Sequence, residues 1–230
     1  MRRLPRHFAP LTPPGAGYEF WTDTLDGYAF LYPADWVQVR VRSGRHAARD
    51  ARVLCIAPRA DASPRAAPRA QTAGADVFFR APLKGEEIVF VEASSPSSRK
   101  YVSLADLGAP DAAAEALLAQ FVAEFASTRL GVRREAAVVS STPRVGADGV
   151  DYLDVEINVK SYAAQQQYGV TAEARGPQAL EWDRRLLTTL GVGNGRLYSL
   201  RLQANEERLE DVRPAFRAIM DSFRIFDAAL

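Results

Sequence analysis

The sequence predicts an α+β layered sandwich, in which two helices pack on an antiparallel sheet. Short runs rich in β-branched and aromatic residues alternate with turn residues such as Asp26-Gly27. Apolar and polar residues alternate over most of residues 150–160, as expected of a strand with one buried face. Two segments, 111–129 and 211–222, have the apolar spacing of helices. About seven to nine antiparallel strands with two helices fit this class and not a parallel dinucleotide-binding sheet.

Length and composition favour one domain. The chain has 230 residues, of which 47% are apolar and 10% aromatic, enough to bury a core. Residues 1–17 are rich in proline and glycine, which predicts a flexible tail. We assign residues 18–230 to a single domain. Within it, residues from about 42 to 75 consist mainly of alanine, arginine and proline, which predicts a low-complexity insertion.

The predicted strands share short apolar runs bounded by turn residues. Before the first helix they are residues 18–23, 28–32, 36–41, 77–80 and 88–93. After it they are residues 135–140, 150–160, 179–190 and 196–204. In the first group the large side chains of Tyr28, Phe30, Tyr32 and Trp36 are expected to fill the core rather than to bind a ligand.

Both helices have clear sequence boundaries. Pro110 and Asp111 mark the start of the first, predicted at 111–129, and Gly131 follows its end. The second, at 211–222, contains Pro214, which we expect in its first turn, where a proline is tolerated. A short helical turn is also expected at residues 103–107.

Composition argues against several classes of function. With 29 Lys and Arg against 28 Asp and Glu, the chain has no overall basic field for nucleic acid. Its histidines, His7 and His46, fall in the predicted tail and insertion, so no structured element supplies a histidine for general base or zinc chemistry. A single cysteine, Cys55, cannot form an internal disulfide, and an enzyme or redox factor would need this thiol or a carboxylate cluster.

Membrane and export signals are not apparent. No stretch approaches the roughly 18 to 20 consecutive apolar residues of a membrane-spanning helix. The first ten residues lack the apolar core of an export signal. We therefore expect any targeting segment to be absent from this chain.

Asp154 and Glu156 are a candidate metal site. They are two residues apart on one predicted strand, so both side chains project from the same face, near enough to share calcium or manganese. The alternative is a solvated sheet edge, which we favour because a calcium site needs more oxygen ligands.

A series of short motifs resembles the PsbP family. The run Asp26-Gly27-Tyr28-Ala29-Phe30-Leu31-Tyr32-Pro33-Ala34-Asp35-Trp36 is similar to the entry hairpin of PsbP-type domains. Further matches follow in order at residues 74–80, 107–110, 134–136, 148–152, 196–200 and 221–223. The resemblance covers residues 18–226 apart from the insertion. It implies an α-β-α sandwich with a central antiparallel sheet.

The same resemblance implies a non-enzymatic function. A PsbP-type protein is expected to be an extrinsic or assembly factor of a photosystem, related to the oxygen-evolving complex, in the chloroplast thylakoid lumen. Its partner would be the photosystem membrane-protein complex or an assembly intermediate of it. Arg2, Arg3 and Arg6, with the glutamine-rich loop at residues 165–167, would contact acidic loops of that partner. A calcium- or manganese-binding lumenal protein and a Ran-binding import-factor-like module on the same fold are the alternatives.

Overall fold

The computed structural model describes residues 17–39, 76–82, 86–94, 101–124, 132–164 and 178–228. The predicted insertion at about 42–75 and the predicted tail, apart from Gly17, lie outside these residues. So do Cys55, both histidines and the loop at 165–167.

Ten strands and two α-helices form the described part of the chain. The strands are β1 (Tyr18–Asp23), β2 (Tyr28–Pro33), β3 (Val37–Gln38), β4 (Val77–Arg80), β5 (Ile88–Ala93), β6 (Val132–Val145), β7 (Asp151–Ala164), β8 (Gln178–Gly193), β9 (Arg196–Asn205) and β10 (Arg224–Ile225). The helices are α1 (Pro110–Glu124) and α2 (Leu209–Ser222), with 3₁₀ turns at Leu104–Leu107 and Glu206–Arg208. None of the described helices is long and apolar enough to cross a membrane.

The described strands form two antiparallel sheets. The larger sheet has seven strands in the order β3-β4-β5-β9-β8-β7-β6, and the smaller has the order β1-β2-β10. Strand β9 pairs with both β5 and β8, so the last long strand lies at the centre of the larger sheet. The first two predicted strands therefore belong to the smaller sheet, while β3 forms one edge of the larger sheet.

The two faces of the larger sheet are covered by different elements. Period-two alternation directs Leu153, Val155 and Ile157 of β7 towards α1, where they pack with Leu117 and Phe121. The opposite face packs against α2 and the smaller sheet, in a core that includes Tyr28, Phe30, Trp36, Leu200, Leu202, Phe216 and Phe223. The predicted α-β-α sandwich with a central antiparallel sheet is confirmed.

The aromatic residues of the first hairpin are core residues, as predicted. Tyr28 and Phe30 are fully buried, and the ring of Tyr32 stacks on Phe79 with centroids 4.2 Å apart. Gly27 forms the turn with φ +74°, and a Cβ there would lie 2.5 Å from the Phe226 carbonyl oxygen. The turn is thus specified by backbone conformation and by close packing of the C-terminal segment.

Helix α2 begins two residues earlier than predicted. It starts at Leu209, directly after a 3₁₀ turn, so Pro214 is in the second turn and not the first. A proline at this position cannot donate the backbone hydrogen bond that would reach the Glu210 carbonyl. The prediction failed because Leu209 and Glu210 already belong to the helix.

Strand β6 forms one edge of the larger sheet. It pairs only with β7 among the described strands, and its register shifts between Val138 and Ser140 in a β-bulge. Pro143 lies near its end, opposite Leu153. Ser140, at the bulge, lines a cleft together with α2, whereas Pro143 lines a cavity beside the start of α1.

Candidate functional site

A polar cleft opens between β6, β7 and α2. Its volume is about 370 Å³. It is lined by Ser140, Thr142, Asp154, Val155, Glu156, Leu187, Glu210, Arg213, Pro214, Arg217 and Met220. The predicted pair Asp154 and Glu156 therefore lies in the cleft, on the β7 face that alternation directs away from α1.

Asp154 is held by groups from three elements. It is 8% exposed. Arg144 of β6 donates through Nε to Oδ2 over 2.9 Å, and Thr189 of β8 donates through Oγ1 to Oδ1 over 2.8 Å. Arg217 of α2 reaches Oδ2 through one nitrogen at 3.3 Å. Both carboxylate oxygens are thus engaged before any ligand enters.

Glu156 has a similar set of partners. Arg185 of β8 donates through Nη1 to Oε1 over 2.5 Å, while Arg213 of α2 lies 3.4 Å from Oε2. Arg185 also bonds Glu206 through Nε at 2.9 Å. Burial alone lowers the pKa of Arg185, but its bonds to Glu206 and Glu156 outweigh burial and raise that pKa above the ordinary value.

The four arginines form an inner and an outer pair. Arg144 and Arg185 are the inner pair, with side chains 18% and 13% exposed. Arg213 and Arg217 are the outer pair, 39% and 61% exposed, four residues apart on one face of α2. The inner pair makes the short contacts and the outer pair the long ones.

The expectation of a solvated sheet edge around Asp154 and Glu156 is wrong. Strand β7 is an inner strand, between β6 and β8, and Asp154 is buried. The alternation of β7 correctly placed both carboxylates on one face. It could not reveal that α2 crosses that face and brings two arginines to it.

The side chains that line the cleft are a poor set of ligands for a hard cation such as calcium. Both carboxylates accept hydrogen bonds from arginine, and a calcium ion would need six to eight oxygen ligands. Among the described residues, no group of three or more His, Cys, Asp or Glu side chains is arranged to hold a metal ion. Calcium or manganese binding at Asp154 and Glu156 stays a prediction, and it requires the outer arginines to move.

The arginines of the cleft were missed by the sequence reasoning. A usable signal was present, because Arg213 and Arg217 are spaced four apart on a predicted helix. The predicted partner-binding residues Arg2, Arg3 and Arg6 lie outside the described residues, so the structure does not relate them to the cleft.

Arg144 also lines a second cavity, of about 350 Å³. This cavity lies under the turn Leu104–Leu107 and the start of α1, and most of its lining is apolar. Tyr152 is also a lining residue, but its ring packs on Phe223 and its hydroxyl donates to Asp148 over 2.6 Å. The cavity therefore offers few polar groups to a ligand.

Comparisons with known proteins identify the same family that the sequence motifs resemble. The family model described as PsbP matches residues 64–225. PsbP domain-containing protein 1, chloroplastic, of Arabidopsis thaliana is 42% identical over 89% of this chain, which spans 60% of that relative's length. CyanoP of Thermosynechococcus vestitus is 26% identical over 92% of this chain and 87% of its own.

A solved structure supports the fold. The solution structure of CyanoP from Synechocystis sp. PCC 6803 aligns with a TM-score of 0.58, covers 95% of this chain and 98% of its own, and is 23% identical in sequence. The entry hairpin at residues 26–36 precedes the span of the family model, but the alignments to the relatives extend over most of the chain. Because the family model matches more than half of the chain, and the sandwich agrees with that of CyanoP, the chain belongs to the PsbP family.

Proposed function

We propose that this chain is a non-enzymatic accessory protein of a photosystem, acting on the lumenal side of the chloroplast thylakoid membrane as an extrinsic subunit or an assembly factor. The observation that carries the proposal is membership of the PsbP family. The 42% identity to a chloroplastic PsbP domain-containing protein supports it further.

The geometry of the cleft supports binding better than catalysis. Asp154 and Glu156 already accept hydrogen bonds from the inner arginines, so both carboxylates form ion pairs within the protein. Fixed ion pairs on a rigid sheet offer instead a surface of defined charge. Such surfaces favour recognition of a partner of complementary charge.

The partner we propose is the photosystem membrane-protein complex or its assembly intermediate, approached at the membrane surface. The near neutrality of the chain, with a formal net charge of +1, means that attraction depends on local groups. Arg2, Arg3 and Arg6 remain proposed contacts for acidic loops. Contacts of this kind weaken at high ionic strength.

Fractionation of thylakoids tests the proposal. We expect the protein in the lumenal fraction, with a part bound to membranes and released by concentrated sodium chloride. Affinity purification at low salt, followed by identification of the co-purifying subunits, would then distinguish photosystem I from photosystem II. Recovery of the protein solely in the stroma would rule the proposal out.

A further inference from the structure

The outer arginines of the cleft make the longer contacts to its carboxylates. Asp154 already accepts hydrogen bonds of 2.9 Å from Arg144 and 2.8 Å from Thr189, and Glu156 accepts one of 2.5 Å from Arg185. The contacts from Arg217 and Arg213 measure 3.3 and 3.4 Å and use one nitrogen each. Arg144, Thr189 and Arg185 therefore hold both oxygens of Asp154 and one oxygen of Glu156 without help from α2.

Arg217 has most of its hydrogen-bonding capacity left. A guanidinium carries five N–H donors, and among the described residues Arg217 bonds only to Asp154. Its side chain is 61% exposed. Arg213 is more engaged, because its Nε also donates to Glu210 over 3.1 Å. Arg217 is thus the principal free donor at the mouth of the cleft.

Two like charges four residues apart on a helix repel each other. Arg213 and Arg217 have this spacing on α2, and both point towards the same cleft. Glu210 pairs with Arg213, whereas Asp154 and Glu156 are shared with the inner arginines and offset this repulsion only in part. An anion at the exposed side of the two guanidinium groups would offset it further. The exposed hydroxyls of Ser140 and Thr142 line the opposite wall on β6 and can donate to the same anion.

The rest of the lining selects the kind of anion. Pro214, Leu187 and Met220 present apolar surface beside the arginines. A carboxylate on a short methylene chain fits both surfaces of the cleft. Its oxygens can lie at the guanidinium groups, and its carbons can lie against the apolar residues. A cationic side chain would meet the outer arginines first, while the carboxylates behind them are already paired.

We propose that this cleft binds an acidic side chain, aspartate or glutamate, from an exposed loop of the protein's partner, with Arg217 as the main contact and Arg213 as the second. This inference rests on the proposed function and assigns a docking point to it within the described structure. The bidentate geometry of arginine with carboxylate gives such a contact direction as well as charge.

A peptide titration tests the site directly. The probe is fluorescein-labelled hexaglutamate, with hexaglutamine as its uncharged counterpart. The variant Arg213→Gln/Arg217→Gln is compared with Arg80→Gln/Arg133→Gln, which removes two exposed positive charges from β4 and β6. We expect about tenfold weaker hexaglutamate binding for the α2 variant and little change for the control. Equal weakening in both variants would show attraction by net charge alone and overturn the inference.

Further measurements separate loss of the site from loss of the fold. The single variant Arg217→Lys keeps the charge but not the planar donor pair, so it should fold and bind with intermediate affinity. In NMR spectra of the isotope-labelled wild-type protein, hexaglutamate should shift the backbone amide signals of Ser140, Thr142 and Arg217. Shifts confined to other regions would contradict the proposed position.

Rebinding to salt-washed thylakoids distinguishes this inference from the proposed function. Saturable rebinding of the wild type with reduced rebinding of Arg213→Gln/Arg217→Gln supports both. Equal rebinding of the two proteins overturns the docking point and leaves the proposed function standing. Failure of the wild type to rebind counts against the proposed function, while the peptide titration still decides whether the cleft binds carboxylates.

Discussion

Arg144 donates through Nη2 to the carbonyl oxygen of Met220 over 2.6 Å. The same guanidinium bonds Asp154 through Nε and lies over the ring of Tyr152. A cation near the C-terminal turn of a helix is favoured by unpaired carbonyls there. One side chain of β6 therefore joins an edge strand, an inner strand and the last turn of α2.

Replacing Arg144 with methionine should destabilise the fold by about 2 to 3 kcal/mol, because Asp154 and the Met220 carbonyl each lose a buried partner. Chemical denaturation with urea measures this change. The matched control is Arg217→Gln, whose exposed side chain should contribute less than about 0.5 kcal/mol. Similar losses for both variants would mean that the inner and outer arginines do not differ as described.

Replacing Ser222 with alanine should cost about 1 to 2 kcal/mol. The Ser222 hydroxyl accepts a hydrogen bond of 2.8 Å from the Leu31 amide and donates one of 2.6 Å to the Ile219 carbonyl. Without it, the buried amide of β2 loses its acceptor. Ser140→Ala, at an exposed position of β6, is the control and should be nearly neutral in the same urea experiment.

Gly27→Ala should destabilise the fold more than Gly149→Ala does. Both glycines have positive φ, +74° and +73°, so both substitutions bear the backbone cost of about 1 kcal/mol. At Gly27 a Cβ would also lie 2.5 Å from the Phe226 carbonyl oxygen, whereas nothing lies within 4 Å at Gly149. Thermal unfolding of the two variants separates these effects, and equal melting temperatures would contradict the close packing.

Tyr32 should make the fold sensitive to alkaline pH. Burial, with the hydrogen bond and charge of Glu19, raises the pKa of Tyr32 from 10.0 to about 12. The unfolded chain therefore loses this proton first as pH rises. Stabilisation by Tyr32 is complete below pH 10 and lost between pH 10 and about 12. Tyr32→Phe and Glu19→Gln should each flatten the decline in unfolding free energy over this range, and an unchanged slope in both would refute the assignment.

Calcium and manganese ions should bind the cleft weakly. They compete with guanidinium groups for Asp154 and Glu156, so we expect amide signals of β7 to shift only at about millimolar ion concentrations. Arg213→Gln/Arg217→Gln removes two competing cations and should bind calcium more tightly. Saturation of the wild type at micromolar calcium would establish the metal site predicted from the sequence.

Local patterns predicted most of the elements. The alternation over β7, the turn at Asp26-Gly27 and the apolar spacing of the closing helix all depend on residues that are neighbours in the sequence. Those signals also placed Tyr28 and Phe30 in the core. Helix α1 was predicted to run to residue 129, and residues 125–129 lie outside the described part of the chain.

Relations between distant elements were not predictable in the same way. The pairing of β9 with β5 and the crossing of α2 over β7 join residues far apart in the sequence, and periodicity says nothing about which strand lies beside which. The ion pairs of Asp154 and Glu156 depend on that crossing. The carboxylates were therefore found, but their arginine partners on β6, β8 and α2 were not.

The bulge and Pro143 in β6 determine how this molecule can meet others. A long edge strand normally exposes a row of backbone donors and acceptors that another chain can extend into a continuous sheet. In β6 the register shift after Val138 and the missing amide hydrogen of Pro143 interrupt that row. Strand addition is thus disfavoured along the half of β6 that borders the cleft, so contacts there depend on side chains, whose bonds can form and release without joining two sheets.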